Sequence, residues 1–295
     1  MNRHVLLTRS LRRGAGGFTL VELMISMVIG LVVMGAVYAA YLASSASTRT
    51  SRAVAQMTED ATVAINILRQ HIAEGGYSRP VGTSGTVMTR AAGADTAKWL
   101  LGCENGFADA TQPITTLACN AAGVAGTDVL AVAYEATLQN SLTTKDATNT
   151  TVPSDCLGAA LTKTTIAPVY FRSYSQFYLQ DSQLYCRGPG SATGQPLVEN
   201  IQEMHLMYGM GGTGADATRV ITYKTAKEVS DMGPWSRVLS VRVCLLMRSE
   251  DQVLDAPVSY VGCDPHAGRI DPAEGDRHMF RAFTSTIVLH NRMGV

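Results

Sequence analysis

The apolar residues in the first quarter of this chain follow two different helical patterns. From Phe18 to Ala43 the sequence is uncharged apart from Glu22. A helix over this stretch would rise about 39 Å at ~1.5 Å per residue, which exceeds the ~30 Å hydrocarbon core of a bilayer. The stretch 18–43 therefore predicts a membrane-spanning helix.

From residue 51 the pattern becomes amphipathic, with apolar residues at intervals of three and four. The members of this stripe are Val54, Met57, Ala61, Ala64, Ile67, Leu68, His71 and Ile72. Residues 44–76 are thus predicted to continue the same helix, to lay one face on a globular domain and to end at Gly75–Gly76. A partner-binding helix is the alternative, but such a stripe usually faces the chain's own core. We expect His71 to be packed or to cap the helix end.

Beyond Pro80, short segments alternate between apolar and polar residues, as β-strands do. The clearest alternation lies within 238–248 and comprises Leu239, Val241, Val243, Leu245 and Met247. The predicted strands are 127–136, two strands within 169–186 around a turn near Asp181, 238–248 and 281–293. We expect a helical turn feeding a strand over 197–209, and long loops over 81–126 and 137–167. Residues 77–295 should form an antiparallel β-rich domain packed on the amphipathic helix, an α+β fold.

Charge and cysteine content narrow the possible environments. The 295 residues include 24 basic and 24 acidic ones, so net charge gives no general attraction to nucleic acid. Six cysteines follow residue 100 without a C-x-x-C pair, which favours disulfides in an oxidising compartment over a zinc site. Their near-neighbour spacing favours one pairing among the possible ones: Cys103 with Cys119, Cys156 with Cys186, and Cys244 with Cys263.

The residues before the apolar run indicate its orientation. Arg3, Arg9, Arg12 and Arg13 precede it without any acid. Basic flanks stay in the cytoplasm, so the domain should lie in the periplasm, where disulfides form. A secretory signal is the alternative, but its apolar region is only roughly 7–15 residues long. A carboxylate inside the apolar region is costly, which marks Glu22 as a functional candidate that needs a partner.

A basic leader that ends at Gly17, followed by Phe18-Thr19-Leu20-Val21-Glu22-Leu23 and an apolar helix, resembles the signature of type IV pilins and type II secretion pseudopilins. The resemblance implies that prepilin peptidase cuts between Gly17 and Phe18 and methylates the new amine of Phe18. It also implies that Glu22 pairs with the amino-terminal charge of a neighbouring subunit. A lone membrane anchor, with Glu22 at the interface, is the simpler alternative.

A second resemblance lies over residues 197–209. The segment LVENIQEMHLMYG is similar to a segment of PilW-type minor pilins and of the related J-type pseudopilins, and ILRQHIAEGGY is similar to the end of their long helix. One departure is that major pilins commonly have a proline within the helix, whereas the first proline here is Pro80. Gly30 and Gly35 are the only weak points in the apolar run.

Motifs for other functions are weak. The sequence contains no G-x-S-x-G, H-E-x-x-H or G-x-x-x-x-G-K-[ST] motif, so we do not expect an enzyme. Residues 209–215 are glycine-rich but lack the lysine of a phosphate loop, which favours a hairpin tip. A cluster within 264–278 has potential metal ligands, namely Asp264, His266, Asp271, Glu274, Asp276 and His278. Its arginines and prolines favour a solvated loop, so no metal or cofactor is expected.

Nucleic acid is also not an expected partner, because Arg172, Arg187, Lys224 and Lys227 are scattered rather than clustered. The sequence thus predicts a leader (1–17), a transmembrane helix (18–43), its amphipathic continuation (44–76) and a periplasmic domain (77–295). The resemblance implies a minor pilin of the bacterial inner membrane that helps to initiate type IV pilus assembly and sits in a tip complex. Its expected partners are prepilin peptidase, other minor and major pilins, the inner-membrane assembly platform and membrane lipid. The alternatives are a J-type pseudopilin, or an anchored periplasmic enzyme or binding protein.

Overall fold

The computed structural model describes residues 17–84, 87–90, 99–120, 127–165, 169–191, 193–264 and 268–292. The basic leader residues and His266 lie outside these ranges. The chain forms two compact units, residues 1–49 and 50–295. Helix α1, Leu20–Glu74, is continuous over 55 residues and ends directly before the predicted Gly75–Gly76 stop. Gly76 adopts a φ of 77°, a conformation that glycine accepts without strain and that commonly ends a helix.

Fifteen strands and a short helix follow α1 in the described ranges. The strands before residue 170 are β1 (Pro80–Ser84), β2 (Val87–Arg90), β3 (Leu100–Cys103), β4 (Val129–Ala136), β5 (Thr143–Lys145) and β6 (Thr151–Pro153). The later elements are β7 (Phe171–Gln180), β8 (Gln183–Arg187), β9 (Gln195–Val198), β10 (Ile201–Gly211), β11 (Val220–Lys224), α2 (Ala226–Met232), β12 (Val238–Arg248), β13 (Tyr260–Val261), β14 (Arg269–Ile270) and β15 (Phe280–Val288).

Two antiparallel sheets dominate the second unit. The central sheet has the strand order β3-β4-β7-β8-β9, and the carboxyl-terminal sheet has the order β11-β10-β12-β15. The α+β fold with a long amino-terminal helix is confirmed. The prediction described one sheet, whereas the described strands form two main sheets and three two-stranded ribbons.

The apolar stripe of α1 forms a core with both sheets. Met57, Ala61, Ala64, Leu68 and Ile72 are each at most 2% exposed. The apolar residues that share this core come from both sheets and include Leu130, Phe177, Val241 and Leu245. The stripe therefore faces the chain's own core, as its spacing of apolar residues predicts. A second core, built around Trp99, Ile114, Leu117 and Tyr134, includes β3 and β4 residues of the central sheet and residues of the following loops.

The buried carboxylate of Asp128 joins the two sheets. The Asp128 N–H donates to the Met204 carbonyl (2.8 Å), and the Leu206 N–H donates to Asp128 Oδ2 (2.6 Å). Burial raises the pKa of Asp128 to about 6. The imidazole of His205 lies 4.0 Å from Asp128 Oδ2 and balances the ionised form. Asp128 thus bonds to the edge of β10 at Met204 and Leu206, beyond the part of β10 that pairs with β11.

Three disulfides, with the near-neighbour pairing that the cysteine spacing predicts, tie the loops to these sheets. They are Cys103–Cys119, Cys156–Cys186 and Cys244–Cys263. One cysteine of each pair lies on a strand: Cys103 on β3, Cys186 on β8 and Cys244 on β12. Each disulfide closes a loop of the chain, which restricts the unfolded state and so stabilises the fold.

Two predictions about the loops and turns were wrong. Residues 81–126 contain strands β1 to β3, and residues 137–167 contain β5 and β6, so neither is only a loop. The helical turn predicted near residue 198 is instead a tight connection between β9 and β10, with Asn200 at a φ of 64°. Val198 ends β9 and Ile201 begins β10, and both are buried. A two-residue turn between strands can thus direct residues three apart into the same core, as a helical turn does.

His71 is packed in the core, one of the two roles predicted for it. Its Nδ1 atom lies 3.3 Å from the Tyr134 hydroxyl and 3.4 Å from the Ser175 hydroxyl. Its ring centroid is 5.3 Å from that of Phe177. Burial lowers the pKa of His71 to about 4, since the charged form loses its hydration.

We expect His71 to stay neutral in the folded domain until the pH approaches about 4. The unfolded chain takes up this proton near its ordinary pKa of 6.5. The stabilising effect is complete above pH 6.5 and is lost as the pH falls towards 4, by about 3 kcal/mol in the free energy of unfolding. NMR titration of the His71 ring checks the pKa, and the His71→Gln variant should lack this part of the pH dependence. A ring that titrates near 6.5 in the folded protein would contradict this assignment.

Candidate functional site

The start of α1 is organised by a hydrogen-bonded pair, Thr19 and Glu22. Glu22 Oε2 accepts from both the backbone N–H and the hydroxyl of Thr19, at 3.2 Å each. In return, the Glu22 N–H donates to Thr19 Oγ1, also at 3.2 Å. This reciprocal arrangement is a capping box, in which two side chains satisfy backbone donors that the first turn of a helix leaves unpaired.

This local role of Glu22 was not predicted, although the Thr-x-x-Glu pattern that signals it is present at residues 19–22. The carboxylate also lies at the amino-terminal, positive end of the helix dipole. Its negative charge is therefore partly compensated within its own chain. A carboxylate offers roughly four acceptor positions on its two oxygens, so the cap at Oε2 leaves capacity for a further cation.

The residues around this cap are exposed. Phe18 is 80% exposed, and every residue from Gly17 to Ser44 is exposed. A Cβ atom added at Gly17 would meet nothing within 4 Å. The folded chain itself therefore does not require glycine at position 17.

Within the described ranges, α1 is the one helix long and apolar enough to cross a membrane. Polar groups inside its apolar part bond to the helix itself: the Ser26 hydroxyl donates to the Glu22 carbonyl at 2.7 Å. Such internal bonding lowers the cost of placing a hydroxyl in hydrocarbon.

Two protein-family models match this chain, one near each end. Residues 12–38 match the model of the prokaryotic N-terminal methylation motif, which covers the cap and most of the apolar run. Residues 169–291 match the model described as type IV pilus-assembly protein W, PilW. The carboxyl-terminal part of the chain is therefore similar to the PilW proteins of type IV pilus assembly. The two matches and the long apolar helix support a membrane-anchored minor pilin, and the methylation motif implies processing by prepilin peptidase and pilin partners.

Structural comparison finds a similar solved protein, a type IV-like pilin from Thermus thermophilus. The two chains are 10% identical, and the match covers 81% of this chain and 99% of that one with a TM-score of 0.38. No curated protein sequence matches this chain.

In the acidic segment 264–278, two of the predicted candidate ligands contact each other. His278 contacts Asp276 through both its ring Nδ1 (2.5 Å) and its backbone N–H (2.9 Å), and the backbone bond lowers the pKa of Asp276. Among the residues that the structure describes, no group of three His, Cys, Asp or Glu side chains could hold a metal ion.

Other sequence candidates have intrachain roles. Residues 209–215 lie in the tip region of the β10–β11 hairpin, as predicted. Lys224 contacts Glu228 and Lys227 contacts Asp231, both at 2.8 Å, and Arg187 donates to the Ala110 carbonyl. Lys224, Lys227 and Arg187 thus bond within their own chain.

We expect Thr19→Ala to loosen the first turn of α1, because it removes the hydroxyl that bonds Glu22. Loss of such a cap typically costs about 0.5–2 kcal/mol of helix stability. Hydrogen exchange of the full chain in detergent micelles should show faster exchange at residues 19–23. Thr19→Ser keeps the hydroxyl and serves as the control, which should behave like the wild type. Equal exchange in all three proteins would contradict the capping role.

Proposed function

We propose that this minor pilin helps to initiate type IV pilus assembly and sits in a complex at the pilus tip. The proposal divides the chain into a leader (1–17), a transmembrane segment (18–43), its amphipathic continuation (44–76) and a periplasmic domain (77–295). Its orientation follows from the basic leader, which remains in the cytoplasm of a bacterium while the domain crosses the inner membrane. The three disulfides are consistent with an oxidising periplasm.

The observation that carries this proposal is the capped carboxylate four residues from the processing junction. Hydrolysis of the Gly17–Phe18 peptide bond leaves a carboxylate on Gly17 and a new amine on Phe18. Methylation of that amine keeps its positive charge. The amine then lies beside Thr19, whose N–H already bonds Glu22, so the amine and the carboxylate occupy the same first turn.

Assembly would exploit a competition at Glu22. In a single subunit, the Thr19 cap and the subunit's own amine both attract the carboxylate. When helices bundle in the membrane, the amine of a neighbouring pilin provides another cation in a medium that strengthens charge pairing. The pair would fix the axial register of the two helices, because any slip leaves an uncompensated charge in hydrocarbon.

The proposed partners follow from these steps. Prepilin peptidase acts on the junction, and membrane lipid surrounds the apolar helix. Other minor and major pilins supply the neighbouring amines, and the inner-membrane assembly platform brings the subunits together.

Glu22→Gln separates the charge of the side chain from its capping role. Glutamine also completes a capping box, so the helix start should remain intact. If pairing needs the negative charge, Glu22→Gln should reduce incorporation into pili as strongly as Glu22→Ala, while processing of the leader continues. The measurements are immunoblots of sheared pili and of processed protein in membranes. Normal piliation by both variants would refute the pairing role.

Gly17→Ala tests the processing junction. The substitution meets no steric obstacle in the folded chain, so an uncut precursor would not reflect a clash within the fold. We expect an uncut precursor of greater mass in membranes, like that in cells that lack prepilin peptidase. A mature chain of wild-type mass in both cases would exclude cleavage at this junction by that enzyme.

A further inference from the structure

β15 is an edge strand of the carboxyl-terminal sheet, and its first residue, Phe280, stacks on Tyr260 of β13. β15 pairs with β12 on one side over nine residue pairs, from Phe280 opposite Arg248 to Val288 opposite Ser240. Within the described ranges, no strand pairs with its other side. β15 contains no proline and one charge, Arg281. Natural sheets usually shield long edges with charges, prolines, bulges or covering loops, so a long bare edge marks a pairing surface.

The hydrogen-bond register identifies which backbone groups face outwards. Leu289 N–H donates to Leu239 O, and Ser249 N–H donates to Met279 O. In an antiparallel ladder the bonded residues alternate, so the odd-numbered residues of β15 bond to β12. The residues that direct their N–H and C=O groups away from the sheet are Phe280, Ala282, Thr284, Thr286 and Val288. These groups are a template for one more strand.

An apolar groove lies beside the first half of this edge. It has a volume of about 450 Å³ and is lined mainly by residues of β13 and β15 and of the segment before β13, including Leu254, Val258, Tyr260, Met279 and Phe280. Val258 and Val261 are each about half exposed (51% and 52%), although they are large apolar residues. The Cys244–Cys263 disulfide links the segment that contains β13 to strand β12. The groove is therefore held in place by a covalent bond.

Charge indicates what kind of strand fits. Arg281 is the one charged residue that lines the groove, and it is exposed. A second copy of β15 would bring the same positive charge and no acid. A strand from a different chain that carries an acidic residue among apolar ones would complement both the groove and Arg281.

We propose that β15 accepts an extended segment of another pilin by β-strand addition, with apolar side chains in the groove and an acid near Arg281. The proposal rests on the minor-pilin function above and names the periplasmic surface through which this subunit contacts its neighbour. It places a second contact, independent of Glu22, between two subunits.

The direct test is hydrogen exchange of the full chain in detergent, alone and co-purified with the other minor pilins of the same cell. Amides at Ala282, Thr284 and Thr286 should exchange fast in the isolated chain and slowly in the complex. Amides at Arg281, Phe283 and Ser285 bond to β12 and should be slow in both samples. Fast exchange of the even-numbered amides in the complex would overturn the proposal. Slow exchange in the isolated chain would do so too, because it would show that the edge is already paired within one chain or with a second copy.

Two substitutions test the edge and the charge separately. Thr284→Pro removes an outward N–H and keeps the bonds to β12, whereas the control Thr284→Val keeps the N–H. Arg281→Glu reverses the charge at the groove without touching the backbone. Thr284→Pro and Arg281→Glu should each weaken the complex by roughly tenfold, and Thr284→Val should leave it unchanged. If each of the two single variants, Thr284→Pro and Arg281→Glu, forms the complex as tightly as the wild type, the proposal is overturned.

Piliation separates this proposal from the proposed function. If Glu22→Gln blocks piliation while Thr284→Pro leaves both the complex and piliation intact, the edge contact is excluded and the minor-pilin function stands. If Thr284→Pro abolishes the complex and reduces piliation while processing stays normal, both are supported.

Discussion

A single helix that must be stable in two different solvents is the constraint on which the rest of the structure depends. Over its first half, α1 exposes large apolar residues, which only hydrocarbon or other helices can cover. Over its second half, the same helix buries Met57, Ala61, Ala64, Leu68 and Ile72 in a protein core. The two sheets, the disulfides and the hydrogen bonds of Asp128 to β10 together form the surface on which this second half packs. Small residues at positions 61 and 64 let the helix approach the sheets closely.

The carboxylate at the start of the helix caps its own helix and, in the proposal above, also pairs with a neighbouring subunit. Its oxygen accepts hydrogen bonds from Thr19, which completes the first turn. Its charge is what a neighbouring amine would recognise. Because a cap requires only an acceptor whereas pairing requires an anion, the two functions make separate demands on residue 22. A glutamate meets both demands, so the proposed pairing gives a physical reason for a costly acid in an apolar segment.

The sequence predicted the elements whose pattern is local. The amphipathic stripe, the strands at 127–136 and 238–248 and the disulfide pairing all follow from spacing along the chain. The split into two sheets could not be predicted, because it depends on how β10 pairs with β12 and on Asp128. The connection at Asn200 was mistaken for a helical turn, since residues three apart also share a core across a tight turn. The bare edge of β15 becomes visible only once the strand order is known.

Mass spectrometry of the protein purified from membranes tests the central claim, that processing at the helix start creates the partner of Glu22. The account predicts a chain that begins at Phe18, with a methyl group on its amine, in cells that contain prepilin peptidase. In cells that lack the enzyme, it predicts the unprocessed chain. A chain that still carries residues 1–17 in normal cells, or one cut after the apolar run, would contradict the account.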